Sequence, residues 1–262
     1  MVIEINPIAV IVLAFVLGAC IGSFLNVCIY RLPLNESIVF PGSHCRSCAT
    51  PLPWYDNLPL LSYLIRRGRC GSCGVHFSAR YFFVELLTAF MAVAVVWQFG
   101  LTLATVGYFA FVTALIVITF IDFDHQIIPD SISLPGILVG LLFSLLSPLP
   151  TLTIWTSLIG AFAGAGFLLA VALGYQAITG REGMGGGDVK LLAMIGAFLG
   201  WRAIPFTIFF ASCVGSFIGV GTMIRRQADS QLALPFGPFL SFGALVYLFW
   251  GERIIAWYLG LL

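Results

Sequence analysis

The chain alternates between long apolar runs and short polar segments, and run length predicts the architecture. Apolar runs of about 17–25 residues can cross a bilayer as α-helices. Such runs occupy residues 7–30, 82–99, 101–121, 132–149, 153–177, 204–224 and 235–250. A shorter run, residues 189–201, reaches only about 18 Å at 1.5 Å per residue. It crosses at a thinned place or extends past Arg202. Counting it, the pattern predicts an all-α polytopic membrane protein of about eight transmembrane helices. The first run follows Glu4 rather than a basic stretch and continues to about Tyr30. That is too long for the apolar part of a cleaved signal peptide, so the helix is expected to be retained.

Composition agrees. Sixty per cent of the 262 residues are hydrophobic and 9% are charged, against roughly 25% charged in a soluble domain. The lipid bilayer must solvate most of the chain, and the net charge of +1 gives no sign of a nucleic-acid partner. Basic residues also orient the spans, because cytosolic loops carry the excess of Lys and Arg. With the N-terminus outside, Arg31, Arg46, Arg66, Arg67, Arg69, Arg80, Arg181, Lys190, Arg225 and Arg226 fall inside. Only Arg202 and Arg253 of the 12 basic residues fall outside. Dropping the short run would move Arg225 and Arg226 outside, which supports eight spans.

Residues 31–80 do not belong in lipid. This segment of about 50 residues is polar, rich in Pro and Gly, and expected on the cytosolic side. Four of the seven cysteines lie in it, as Cys45-Arg-Ser-Cys48 and Cys70-Gly-Ser-Cys73 with 21 residues between. Two such knuckles place four thiolates around one ion, a strong zinc signature. Gly42 and Ser47 supply turn residues at one knuckle, Gly71 and Gly74 at the other. Two disulfides are the competing reading, disfavoured in a reducing cytosol. Four protein ligands leave no open position, so the zinc is expected to be structural and to hold together a segment too small for much core. His44 and His76 flank the knuckles and read as bystanders. Cys20, Cys28 and Cys213, in apolar runs, read as small buried hydrophobes.

Of the eleven acidic residues, Glu4, Glu36, Asp229 and Glu252 fit solvated positions and Asp56 fits a turn. Two clusters resist that explanation. One is the segment from Ile121 to Asp130, read as a loop, where Asp122, Asp124 and Asp130 occur with no basic residue among them. The other is Gly183-Met-Gly-Gly-Gly-Asp188-Val-Lys190. Both fall on the same predicted side and can converge, and ionisable groups at membrane depth are functional candidates. Two facing carboxylates are the minimum for aspartyl proteolysis, because a close pair shares one proton and supplies both a base and an acid. Glycines before Asp188 would let an extended peptide approach the backbone. The competing readings are an ordinary helix N-cap at Asp188, cation binding, or simple solvation. Asp188 opens a helix, whose dipole favours charge, and Asp122 ends one. The shared proton is therefore expected on Asp122.

Together these motifs resemble the type IV prepilin peptidases, the bifunctional prepilin leader peptidase/N-methyltransferases of bacterial inner membranes. The resemblance runs along nearly the whole chain. It is carried by Gly22-Ser-Phe-Leu-Asn-Val27 with Arg31-Leu-Pro33, the cysteine knuckles and Asn57-Leu-Pro-Leu-Leu-Ser-Tyr-Leu64. It continues through Arg80-Tyr81 with Val84-Glu-Leu86, the Ile121–Asp130 segment, Gly183–Lys190 with Leu191-Leu-Ala-Met194, and Pro235-Phe-Gly-Pro238. It departs where many members have Arg-Tyr-Pro and this chain has Arg80-Tyr81-Phe82.

The resemblance implies an aspartyl protease of the Gly-x-Gly-Asp class, with Asp122 and Asp188 catalytic. Gly185, Gly187, Lys190 and Asp124 support the site, Asp124 being the fallback partner. Prepilins and pseudopilins of type II secretion are the implied substrates, cut on the cytosolic side of the inner membrane. The implied second activity methylates the new N-terminus, usually Phe, from S-adenosylmethionine. On this reading residues 1–30 are the first membrane helix, 31–80 the methyltransferase-associated zinc segment with Cys45, Cys48, Cys70 and Cys73 as ligands, and 81–262 the peptidase. Nothing in 31–80 resembles a nucleotide-binding methyltransferase fold. Two rivals stay open, a peptidase without methyl transfer and a non-catalytic zinc-stapled scaffold or transporter. The latter would need a polar pathway across the bilayer, and the sequence offers none.

Asn26 and Glu85 lie inside predicted spans, where hydrogen bonding between helices is the simplest role and a place near a substrate groove the alternative. Gly18, Gly22, Gly160, Gly164, Gly215 and Gly219 have the small-x-x-x-small spacing of closely packed membrane helices.

Overall fold

A computed structural model describes residues 6–147, 149, 151–180, 183–226 and 235–260. Glu4, Arg181 and Asp229 lie outside the described residues, as do the side chains of Arg225 and Arg226. The described residues form α1 (Pro7–Arg31), α2 (Leu61–Ile65), α3 (Arg80–Phe99), α4 (Leu103–His125), α5 (Asp130–Leu146), α6 (Ile154–Thr179), α7 (Gly186–Leu199), α8 (Ala203–Arg226), α9 (Gly237–Val246) and α10 (Glu252–Tyr258). Among the described residues no strand forms.

Among the described residues six helical stretches are long and apolar enough to cross a membrane: α1, α3, α4, α6, α8 and the continuous run Gly237–Tyr258. The last joins α9 to α10 through a π-helical turn, Tyr247–Gly251, and so runs beyond the expected end at residue 250. The other two expected spans are short, 17 residues in α5 and 14 in α7. At 1.5 Å per residue these reach about 26 and 21 Å. The chain is thus a multi-pass, all-helical membrane protein.

Local signals set the helix ends. The Asn6 side chain accepts the Ile8 N–H ahead of Pro7, opening α1. Thr153 and Thr156 form a reciprocal cap at the start of α6, and Gly180 at φ 68° closes it. Helix α4 corrects the expected loop at Ile121–Asp130. It continues through Asp122 and Asp124 to His125, and the chain turns only at Gln126, φ 54°. The polar residues mark the end of an apolar run, not the end of the helix.

The fold divides into two compact units, one up to Val117 and one from Ile118 onward. In the first unit α1 packs antiparallel on α3. A Cβ on Gly22 would lie 2.7 Å from Glu85 Cα, and one on Gly18 would lie 2.8 Å from Ala89 Cα. Only glycine lets the backbones come this close. Asn26 donates to the Tyr81 carbonyl at 3.0 Å, joining the same two helices.

In the second unit α7 packs against α5, α6, α8 and α9, and every residue from Leu191 to Phe198 is buried. This accounts for its length. A helix apolar all round is surrounded by protein, so bilayer thickness does not dictate its span. Helices α6 and α7 meet at backbone distance. A Cβ on Gly160 would lie 2.5 Å from the Gly196 oxygen, and one on Gly164 would lie 2.6 Å from the Leu192 oxygen. Ser157 Oγ adds a 2.8 Å hydrogen bond to the Ala197 carbonyl. The expected small-residue seams at Gly18/Gly22 and Gly160/Gly164 are therefore helix contacts.

Candidate active site and cysteine cluster

Asp122 sits in the last turn of α4 and is 5% exposed. Its Oδ2 accepts the backbone N–H of Gly237 at 3.0 Å. Gly237 is the first residue of α9, so this amide is one of the helix-opening donors with no partner inside the helix. A Cβ at 237 would lie 2.6 Å from Asp122 Oδ2 and 3.2 Å from Ile128 Cδ1. On its other side Ile128 meets α7, where a Cβ on Gly187 would lie 2.8 Å from Ile128 Cβ. Ile128 is thus wedged between two glycines, one on each element that carries the site. Asp188, next to Gly187 and third in α7, lies within electrostatic reach of Asp122. Two carboxylates that feel each other's charge favour different protonation states, the condition for one to act as base and the other as acid.

The helix-dipole asymmetry expected from the sequence is partly offset here, although Asp122 still lies in the last turn of α4. Asp188 lies in the first turn of α7, but Asp122 faces the first amide of α9, so both carboxylates meet a positive helix end.

Lys190 Nζ lies 2.6 and 2.8 Å from the two oxygens of Asp130, the first residue of α5. The acidic segment thus takes its counter-charge from the other motif, and the pair ties α7 to α5 two residues beyond Asp188. Asp124 is exposed, two residues and about 200° round the helix from Asp122. Of the supporting glycines, Gly187 is in tight contact, whereas a Cβ on Gly185 would have only the Gly187 nitrogen at 4.0 Å. Sequence reasoning missed the parts played by Gly237 and Ile128. Pro235-Phe-Gly-Pro238 stands out as a motif, but nothing in one sequence ties it to a residue 115 positions away.

In the 31–80 segment each knuckle is a tight turn. The Cys45 N–H bonds the Thr50 carbonyl and the Cys70 N–H bonds the Val75 carbonyl, both at 2.9 Å. The turns close with Ala49 at φ 55° and Gly74 at φ 72°. The four sulfurs of Cys45, Cys48, Cys70 and Cys73 lie within 4.8 Å of one another. None is in a disulfide. Metal–sulfur bonds of about 2.3 Å at tetrahedral angles would separate sulfurs by about 3.8 Å, and Cys45 and Cys73 Sγ are 3.8 Å apart. The cluster fits a four-thiolate metal site. His44 and His76 stay outside it, His44 against the Gly42 carbonyl and His76 accepting from Arg69. Asp56 is more than a turn residue, pairing with Arg66 at 2.9 Å.

Sequence comparison defines the class. Residues 16–99 match the bacterial peptidase A24 N-terminal domain, and residues 109–220 match the type IV leader peptidase family. Three curated relatives are each named prepilin leader peptidase/N-methyltransferase. That of Aeromonas hydrophila is 38% identical, covering 94% of this chain and 93% of the relative. That of Pseudomonas aeruginosa is 36% identical, covering 97% and 95%. That of Neisseria gonorrhoeae is 39% identical, covering 90% and 88%. The chain belongs to the type IV leader peptidase family and is an enzyme of the peptidase class. No solved structure matches it significantly.

Proposed function

We propose that the chain cleaves the leader peptide of type IV prepilins and type II secretion pseudopilins, with Asp122 and Asp188 as the catalytic pair. The observation that carries this reading is the convergence of the two aspartates from α4 and α7, with the Gly237 amide on Asp122. One carboxylate, ionised, takes a proton from water. The other, protonated, polarises the scissile carbonyl, and its proton passes to the leaving amine. The glycines of the Gly185–Asp188 turn give an extended peptide access to the backbone. Eight spans with the N-terminus outside would put this site on the cytosolic face of the inner membrane, as the distribution of basic residues favours. Cleavage of a prepilin in detergent by wild type, Asp122→Asn and Asp188→Asn, each confirmed folded, tests the reading. Both variants should be inactive, and near-normal cleavage by either removes that aspartate from the mechanism.

The names of the relatives and the cysteine cluster support a second activity, N-methylation of the new N-terminal residue with S-adenosylmethionine as donor. Residues 31–80 then serve methylation and 81–262 proteolysis. A zinc ion on Cys45, Cys48, Cys70 and Cys73 would be structural, its four thiolates leaving no position for substrate.

A further inference from the structure

In the first unit, where the 31–80 segment meets the adjoining ends of α1 and α3, lies a cavity of about 740 Å³. This is within the size range of small-ligand sites, roughly 300–1,000 Å³. Its charges are unevenly matched. Arg31 donates to the carbonyls of Ser37 and Gly42, Arg46 lies 3.3 Å over the Tyr30 ring, Arg66 pairs with Asp56, and Arg69 donates to His76. The wall also contains Glu85, whose carboxylate is in a membrane helix and whose residue is 8% exposed. Among the described residues no cation pairs with it; its partners are the Leu60 N–H at 2.8 Å and the Ser23 hydroxyl. A buried carboxylate without a counter-ion is costly. The chain adds a second cost to serve it. Leu60, which donates that N–H, has φ 61° and ψ −49° and centres a γ-turn closed by the Leu61 N–H on the Pro59 carbonyl. Such a turn is strained for any residue with a side chain.

The geometry points to a site for an organic ammonium. Resting on the methylation reading, we infer that Glu85 receives the free α-amine of the processed N-terminus and that its first side chain lies against Tyr63 and Tyr81, which also line the cavity. An ammonium has no lone pair, so it must first lose a proton, and the Glu85 carboxylate is the acceptor. The neutral nitrogen then forms the new N–C bond while the C–S bond of a sulfonium methyl donor breaks. The sulfur keeps that electron pair and leaves as a neutral thioether, and the proton held by Glu85 returns to water. The amine gains a methyl group and the protein is unchanged.

The probes are a synthetic peptide with a free N-terminal Phe and its N-acetylated counterpart, with binding measured by calorimetry on the detergent-solubilised full chain. Wild type should bind the free peptide at least tenfold more tightly, and Glu85→Gln should abolish that preference. An unchanged thermal unfolding transition would show that the variant is folded. Equal binding of the two peptides by wild type overturns the inference without any variant, as does a preference that survives in Glu85→Gln. A wild-type enzyme that methylates while Glu85→Gln methylates equally well sinks this inference alone. A wild-type enzyme that cuts prepilin but transfers no methyl group sinks the methylation reading beneath it.

Discussion

Replacing Gly237 by Ala is the sharpest test of how the aspartates are held. The new Cβ would stand 2.6 Å from Asp122 Oδ2, about 0.7 Å inside the ~3.3 Å of a close C···O contact. The backbone of α9 is packed, so the carboxylate must yield. A retreat of that size stretches the Gly237 N–H bond from 3.0 Å to about 3.7 Å, beyond hydrogen-bonding range. A hydrogen bond to a charged group contributes about 1.5–3 kcal/mol. Lost from the transition state, that amounts to roughly a 10- to 100-fold fall in kcat/KM, of the order expected from moving a catalytic group by most of an ångström. The assay is prepilin cleavage in detergent over a range of substrate concentrations. Gly174→Ala in α6 is the matched control, since a Cβ there meets nothing within 4 Å. Should Gly237→Ala cleave within twofold of wild type, the Gly237 amide does not position Asp122 and this account of the site fails.

Other expectations follow the same geometry. Gly187→Ala, crowding Ile128, should lose cleavage even with small substrates, whereas Gly185→Ala should fail only where an extended peptide must pass; a comparison of KM and kcat for the two variants checks this. Breaking the exposed Lys190–Asp130 pair with Lys190→Met should cost at most about 1 kcal/mol of stability but about tenfold in kcat, and the exchange Lys190→Asp with Asp130→Lys should restore part of it. Gly196→Ala drives a methyl group into the Gly160 carbonyl and should destabilise by about 1–3 kcal/mol, read as a lowered Tm in detergent. Chelation, or Cys45→Ser, should release about one zinc per chain and abolish methyl transfer while leaving most prepilin cleavage, measured in parallel on one preparation.

Most of the architecture could be read from the chain because lipid imposes one rule on every span, and apolar run length reports it directly. The reading weakened where protein replaces lipid as the neighbour. Helix α7 is short because other helices surround it, and α4 outlasts its apolar run because Asp122 finds an amide donor at its end. The cysteine cluster was legible because its ligands come from two local turns. Asp122 and Asp188 were legible as residue types in short motifs. Of their support, Gly187 and Lys190 could be named from the same motif, but Gly237, Ile128 and the pairing of Lys190 with Asp130 could not, since they depend on contacts between elements far apart in sequence. Glu85 could be flagged as costly in a span, but only the fold shows that it faces a cavity and draws on a strained amide.

The burial of α7 also bears on how the protein is made. Fourteen residues with Asp188 and Lys190 in the opening turns form a poor membrane segment when judged alone, well below the ~20 residues that insert readily. The glycine seam with α6 offers a remedy, because α6 emerges first and presents a groove fitted to the α7 backbone. Biogenesis should therefore proceed by insertion of α6 and α7 as one hairpin, with α6 held at the translocon until α7 has emerged. A truncated nascent chain ending after α7 should integrate when Gly160 and Gly164 are intact. It should stall when either carries a bulky side chain, which would make this seam a checkpoint in assembly before any peptide is cut.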